Sequence, residues 1–264
     1  MIIDFHTHAF PDALAEKAMK VLTGNLTIDL KPVRDGTITS LIARMDEWGI
    51  DKSVLAPIVT KASQIKTLNE WAASVNGDRI VALGSIFPNS GNYIEEIDFV
   101  CSLGLKGIKL HAEYQDFVLD SPEMLKIYDY ALSKGLIILH HAGADYGMPA
   151  PYKSSPAQFA HIAREMRGGV IIAAHLGGHA QWDDVYDKLC GTEIYLDTSM
   201  GFEYYGCEIF KKIVKKHGAD KILFASDSPW SHAGNNLKAL NACALDQNTV
   251  DMITHKNAQR ILNI

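Results

Sequence analysis

The chain has 264 residues, 47% of them hydrophobic and 21% charged, with a formal net charge of -6. That length suits one large α/β domain or two small ones. The acidic balance leaves no basic footprint for nucleic acid or an anionic membrane, and no apolar run reaches the length of a membrane span. The four cysteines are scattered without a CxxC pair, which points to reduced thiols in a cytosolic protein rather than a disulfide frame. Asp4 and His6 interrupt the only apolar run at the start, which argues against a signal peptide.

Short β-rich apolar runs alternate with helical patterns along the whole chain. Residues 2–5 read as the first strand. The stretch from 8 to 37 is the longest irregular piece, with a short helix expected near 12–21 and a position over any site at the strand ends. Residues 37–48 carry apolar Leu41, Ile42, Met45 and Trp48 at helical spacing, with Gly49 as the stop. A second strand at 53–56 ends at Pro57. A helix at 62–75 leads to a third strand at 80–86, and a helix at 93–103 to a fourth at 107–111.

Ser121-Pro122 and Ser155-Pro156 each pair a cap residue with proline in the first turn. They open helices at 121–134 and 155–166, on either side of a fifth strand at 136–141. A sixth strand at 170–175 precedes a helix at 179–189. A seventh strand at 194–197, a helix at 208–216 and an eighth strand at 221–225 follow. Helices at 237–245 and 250–262 close the chain. Eight strand signals separated by helices predict a (β/α)8 TIM barrel, regular or distorted, with extra C-terminal helices. Residues 1–264 read as one domain. An open doubly wound sheet is the alternative, but no glycine-rich phosphate fingerprint follows the first strand.

Barrel active sites lie at the C-terminal ends of the strands. There the chain offers His6 and His8, Lys109 and His111, His140 and His141, His175, and Asp227. His6 and His8 are two apart and can share one face. With one strand-five histidine and Asp227 they would make a site of three nitrogens and one oxygen. That set suits zinc, and also manganese, iron, cobalt or nickel. Such a metal lowers the pKa of bound water to about 7. His175 then stands as general base or electrophile, and Asp227 as a second proton acceptor. His179 and Trp230 are candidates for substrate contact or a pocket wall, Arg34 for a carboxylate clamp, and His232 for the mouth. His161, His217 and His255 read as surface or capping residues.

Asp4-Phe5-His6-Thr7-His8, Gly107-Ile108-Lys109-Leu110-His111, His141-Ala142-Gly143, Ala174-His175-Leu176-Gly177-Gly178 and Phe224-Ala225-Ser226-Asp227-Ser228-Pro229-Trp230 together resemble the amidohydrolase superfamily. Within it they are similar to the amidohydrolase-2 branch, which holds the aminocarboxymuconate-semialdehyde decarboxylase relatives. Asn257-Ala258-Gln259-Arg260-Ile261-Leu262 resembles the same branch. The resemblance implies ligation by His6, His8, the strand-five histidine and Asp227, with His175 as the catalytic histidine. Its histidine–x–glycine pattern picks His141 over His140, and strand parity lets only one of the two face inward. In binuclear members a strand-four lysine is carbamylated and bridges two metals. Lys109 stands at that place, but its Lys-Leu-His setting resembles the single-metal branch, where it would be a pocket cation or a structural lysine.

The expected function is hydrolysis of a small amide, lactone or ester by metal-activated water. One divalent transition metal, zinc before the others, and no organic cofactor are expected. The rival at the same site is non-oxidative decarboxylation of a small unsaturated or aromatic carboxylic acid. A rival of another class is a non-catalytic metal-binding barrel, against which His175 beside a full ligand set argues. The expected partner is a small-molecule substrate, in a cytoplasmic homodimer.

Overall fold

Eight strands alternate with helices in the computed structural model, which describes residues 1–264. The strands are β1 (Ile3–Thr7), β2 (Lys52–Leu55), β3 (Ile80–Ala82), β4 (Gly107–Leu110), β5 (Ile137–His140), β6 (Val170–Ala173), β7 (Tyr195–Asp197) and β8 (Ile222–Leu223). All pair in parallel, as ladders β1-β2-β3 and β4-β5-β6-β7-β8. Two seams join the ladders. At one, Gly84 N–H donates to Gly107 and Lys109 N–H to Gly84, each at 2.8 Å. At the other, Phe5 N–H donates to Phe224 and Asp227 N–H to His6, each at 2.8 Å, and His8 N–H to Ser228 at 2.7 Å. The sheet therefore closes into the expected barrel.

Apolar side chains fill the barrel alternately along each strand. Phe5, Val54, Leu83, Leu139, Ile172 and Leu223 form this inner core. A larger core lies between the strands and the surrounding helices. Lys109 on β4 and Asp197 on β7 are fully buried yet charged, and both reach His6 at the barrel mouth.

The local signals for helix starts hold. Thr37 Oγ1 accepts from Ser40 N–H at 3.1 Å and opens Ile38–Trp48. Ser121 accepts from Met124 N–H at 3.3 Å and opens Pro122–Ser133. Ser155 and Gln158 form a reciprocal capping box at the start of Pro156–Glu165.

Some elements depart from expectation for local reasons. β8 is shorter than 221–225 because Phe224 N–H turns to Ile253 and Ala225 N–H to the Thr198 hydroxyl. The helix expected from His179 starts only at Trp182, because His179 is held extended against Gly143. The helix at 208–216 begins earlier, spanning Phe202–His217 with a kink at Gly206. The covering stretch after β1 contains the helix Asp12–Gly24. No helix is long and apolar enough to cross a membrane.

Two expectations are corrected. Cys207 and Cys243 are bonded, with Cα atoms 5.2 Å apart, while Cys101 and Cys190 are free. Packing of helix Phe202–His217 on helix Ala233–Ala242 brings the pair together, which sequence spacing alone does not reveal. His217 is buried, not a surface residue, and its Nδ1 accepts from Gly191 N–H at 3.2 Å.

Burial pushes the His217 imidazole down to about 4. The unfolded chain thus takes up a proton there before the folded one does, and stability falls as the pH drops from about 6.5 to about 4. His217→Gln keeps an acceptor for Gly191 but cannot titrate. Melting curves across that range should show it losing about 2 kcal/mol less than the parent; parallel losses would remove His217 as the cause.

Candidate metal centre

The centre begins with a defect in β1. Asp4 pairs with Ser53, but Thr7 pairs with Leu55, so β1 holds one extra residue between those two points. Such a bulge re-aims one side chain. Phe5 can then fill the barrel while His6, its neighbour, also turns inward at the mouth, followed by His8. Asp4 points to the other side and accepts from Ser226 N–H at 2.9 Å and from the Ser226 hydroxyl at 2.6 Å, which fastens β1 to the chain after β8.

The bonding pattern assigns both imidazole tautomers. His6 Nδ1 donates to Asp197 Oδ2 at 3.0 Å, and His8 Nδ1 donates to the Ala56 carbonyl at 2.8 Å. A carboxylate and a carbonyl only accept, so each ring keeps its proton on Nδ1 and offers Nε2 as a lone pair. These two Nε2 atoms are 3.1 Å apart. Asp227 Oδ1 lies 2.9 Å from His8 Nε2 and 3.4 Å from His6 Nε2. It is buried and receives no hydrogen bond. Three electron-pair donors crowd one point with no proton between them. That arrangement is repulsive without a cation, and its chemistry fits a divalent transition metal. Lys109 Nζ, 2.8 Å from His6 Nε2, is the one side-chain cation beside it.

The surroundings tune these groups. Burial, then the Lys109 charge, holds His6 well below the ordinary histidine range. Burial pushes the Lys109 ammonium down to about 8. Burial alone would raise the Asp227 carboxyl, but His6, His8 and Lys109 outweigh it and hold it low. His175, Leu176 and Asp227 have φ of 57°, 54° and 67°. Left-handed backbone at non-glycine residues is strained, and here it falls on the site itself.

A proton relay links the remaining histidines. Ser199 donates its one proton to Asp197. Its oxygen can therefore only accept, and it takes the proton of His175 Nδ1 at 2.8 Å. His175 Nε2 is left to accept from His141 Nδ1 at 3.0 Å. His141 Nε2 is then a bare lone pair, buried and without a partner. Of the four expected ligands, His6, His8 and Asp227 converge directly. His141 lines the same cavity on the far side of His175, whose ring centroid is 5.5 Å from that of His6 and 4.8 Å from that of His141. His140 points the other way, into the rings of Phe117, Tyr128 and Phe159. His141→Ala should therefore lower metal content sharply, and His140→Ala should leave it intact while costing stability. Metal analysis of the two purified variants decides, and the reverse result would exchange their roles.

His111 and Asp145 form a neighbouring group. His111 Nε2 is 3.0 Å from Asp145 Oδ2, and its Nδ1 is 3.4 Å from Glu113 Oε2. The His111 and His141 rings stack 4.1 Å apart at 12°. Lone pairs lie in the ring plane, so those of stacked rings run parallel and do not converge on one ion. The group is an electrostatic support beside the centre, not a second metal pocket.

Lys109, His111, His179 and Trp230 all line a cavity of about 190 Å³ above the centre. His179 Nε2 is bonded to the Tyr146 hydroxyl at 2.9 Å. Arg34 is no carboxylate clamp. Its guanidinium donates to the Ser228 hydroxyl and carbonyl at 2.9 Å each and to the His8 carbonyl, latching the covering stretch onto the barrel mouth. His232 is not at the mouth either: it caps Ala233–Ala242 and packs on Trp48 at 4.2 Å. Asp197, Ser199, Asp145 and Glu113 escaped the sequence reading. Asp197 carried a signal, since it ends the seventh strand as the other polar residues end theirs. The other three lie in loops or short turns with no periodicity.

The fold is a TIM barrel with a candidate metal-ligand group at its mouth. The chain matches the family model described as Amidohydrolase over residues 3–264, and it belongs to that family. No curated protein matches the sequence. Among solved structures, an uncharacterised TIM-barrel protein of Bordetella bronchiseptica is 16% identical, with a TM-score of 0.78 and coverage of 99% of this chain and 98% of that one. The 5-carboxyvanillate decarboxylase of Novosphingobium aromaticivorans, complexed with manganese, is 15% identical, with a TM-score of 0.73 and coverage of 100% and 96%. A probable 2-pyrone-4,6-dicarboxylic acid hydrolase of Acinetobacter baumannii is 16% identical, with a TM-score of 0.67 and coverage of 100% and 99%. At these identities the likeness is one of fold. A probable hydrolase and a decarboxylase both share it.

Proposed function

We propose that this chain is a metal-dependent hydrolase of a small amide, lactone or ester, holding one divalent transition metal, zinc before manganese, iron, cobalt or nickel. His6, His8, Asp227 and His141 would hold it. The observation that carries the reading is the convergence of His6 Nε2, His8 Nε2 and Asp227 Oδ1 within 3.4 Å at the floor of the cavity. A metal bound there polarises a carbonyl and eases ionisation of water near neutral pH. The chain's own residues supply the rest. Asp227 is ionised and can take the proton of an attacking water. His175 lines the cavity, and its Nε2, which accepts from His141 Nδ1 at 3.0 Å, can receive a proton and return it to a leaving group once His141 gives up that bond. Lys109 places positive charge beside a developing oxyanion.

A second reading, non-oxidative decarboxylation of an unsaturated or aromatic acid, is favoured by the apolar far wall of the cavity. Leu26, Leu30, Ile58 and Leu68 offer a ring an apolar surface there. The manganese-complexed decarboxylase of the same fold supports it. A panel of lactones, esters, amides and aromatic acids, offered to zinc- and manganese-loaded protein with carbon dioxide followed alongside, separates the readings. Carbon dioxide release with inert lactones would overturn hydrolysis. Metal binding with no turnover anywhere would leave the non-catalytic barrel. A cytoplasmic setting and a homodimer complete the proposal, and sedimentation tests the dimer.

A further inference from the structure

The far half of the cavity is one-sided in its chemistry. Phe10, Leu22, Leu26 and Leu30 come from the stretch after β1, Ile58 from the loop after β2, and Leu68 from helix Ile65–Val75. All six are only half-buried. The protein leaves this apolar surface partly uncovered at the point where a substrate body would lie. The charged side chains of the lining, histidines apart, are Lys109 at the floor and two carboxylates, Asp145 and Asp227. No arginine lines the cavity, since Arg34 is bonded to Ser228 and the backbone of His8.

We infer that the substrate carries a single charged or reactive head, no second carboxylate, and an uncharged, mostly apolar body lying on Leu26, Leu30, Ile58 and Leu68. The inference rests on reading the site as a metal-dependent carbonyl or carboxyl enzyme, and it names the substrate class of that site. A carboxylate is stripped of water only where a lysine, an arginine or a set of N–H donors answers it. Lys109 is already engaged at the floor, 2.8 Å from His6 Nε2, where it serves the head. A second carboxylate further out would meet leucines on one side and the negative charge of Asp145 on the other. The class is thus a monocarboxylic acid, or a neutral lactone, ester or amide, with a hydrophobic substituent. A dicarboxylic acid, such as the one named for the structurally similar pyrone hydrolase, falls outside it.

Calorimetric titration of manganese-loaded protein with two probes of similar size, 3-ethylbenzoate and isophthalate, tests this without turnover. The monoanion should bind about tenfold tighter or more. Leu26→Arg should raise isophthalate affinity and narrow that gap, and Ile58→Arg should do the same if the first variant fails to fold. Equal or tighter binding of isophthalate by the parent would overturn the inference, as would failure of metal-loaded protein to bind 3-ethylbenzoate. A preference for 3-ethylbenzoate in a protein inert toward every lactone, ester, amide and acid would instead remove the catalytic reading and keep the binding one.

Discussion

His6→Ala should cost the protein its metal and its activity together. His6 is fully buried and touches both other converging donors and the two charged groups beside them. Its Nε2 faces His8 at 3.1 Å, Asp227 at 3.4 Å and Lys109 at 2.8 Å, while its Nδ1 is held by Asp197 at 3.0 Å. Alanine removes one lone pair and lets the Lys109 ammonium and the Asp197 carboxylate face each other across the gap. Bound metal should fall from about one equivalent, as a single four-ligand site requires, to a small fraction of that. Asp227→Asn is the milder companion, because it keeps the shape and removes the charge and the base. Its turnover should drop by roughly 10²–10⁴-fold. Metal analysis beside circular dichroism separates loss of the ion from loss of the fold. A folded His6→Ala protein with full metal and full turnover would end the proposal.

Gly143→Ala should be the most damaging single methyl group. Gly143 has φ +87°, and a Cβ there would lie 2.2 Å from the backbone nitrogen of His179 and 2.5 Å from its oxygen. Neither atom can yield. His179 N–H donates to Ala142 at 2.8 Å, and Ala144 N–H donates to His179 at 3.0 Å, which locks the loop after β5 to the loop after β6. These loops carry His141 and His175. The methyl must therefore pry apart the two segments that set the histidine relay. A cost of about 4 kcal/mol is expected, which lowers the melting temperature by roughly 10 °C in a chain of this size. Gly135→Ala is the control. It has φ +76° but nothing within 4 Å of the added methyl, so only the backbone term of about 1 kcal/mol applies. Equal melting shifts for the two variants would refute the steric account.

Much of the architecture was legible because periodicity and punctuation agreed. Ser121-Pro122 and Ser155-Pro156 marked helix starts through hydrogen bonds that are local in the chain. Strand parity allowed only one of His140 and His141 to face inward, the histidine–x–glycine resemblance picked His141, and His140 does pack outward among aromatic rings. The convergence of His6, His8 and Asp227 was readable because barrels gather strand ends at one mouth. What escaped depends on three-dimensional encounters. The β1 bulge comes from pairing with β2, which the residues of β1 alone do not encode. Arg34 looked free in a loop because its acceptors lie near residue 228. The Cys207–Cys243 bond needed two helices to meet. His111 could be placed at the mouth from its strand, but its carboxylate partners Glu113 and Asp145 sit where no pattern points to them.

The seam between the chain's two ends also governs when the proposed metal centre could form. Its bonds join Phe5 to Phe224, His6 to Asp227 and His8 to Ser228. Of the four proposed ligands, His6 and His8 come from one side of that seam and Asp227 from the other, while His141 follows β5. No intermediate that has built the middle of the barrel but not drawn its ends together contains the donor group. Closing so long a loop is among the slow, entropically costly events of folding. An ion that binds only after closure stabilises the finished barrel by mass action and leaves the earlier steps untouched. Its kinetic effect therefore falls on unfolding: it acts as a clasp that slows the opening of the chain rather than as a seed that speeds its collapse.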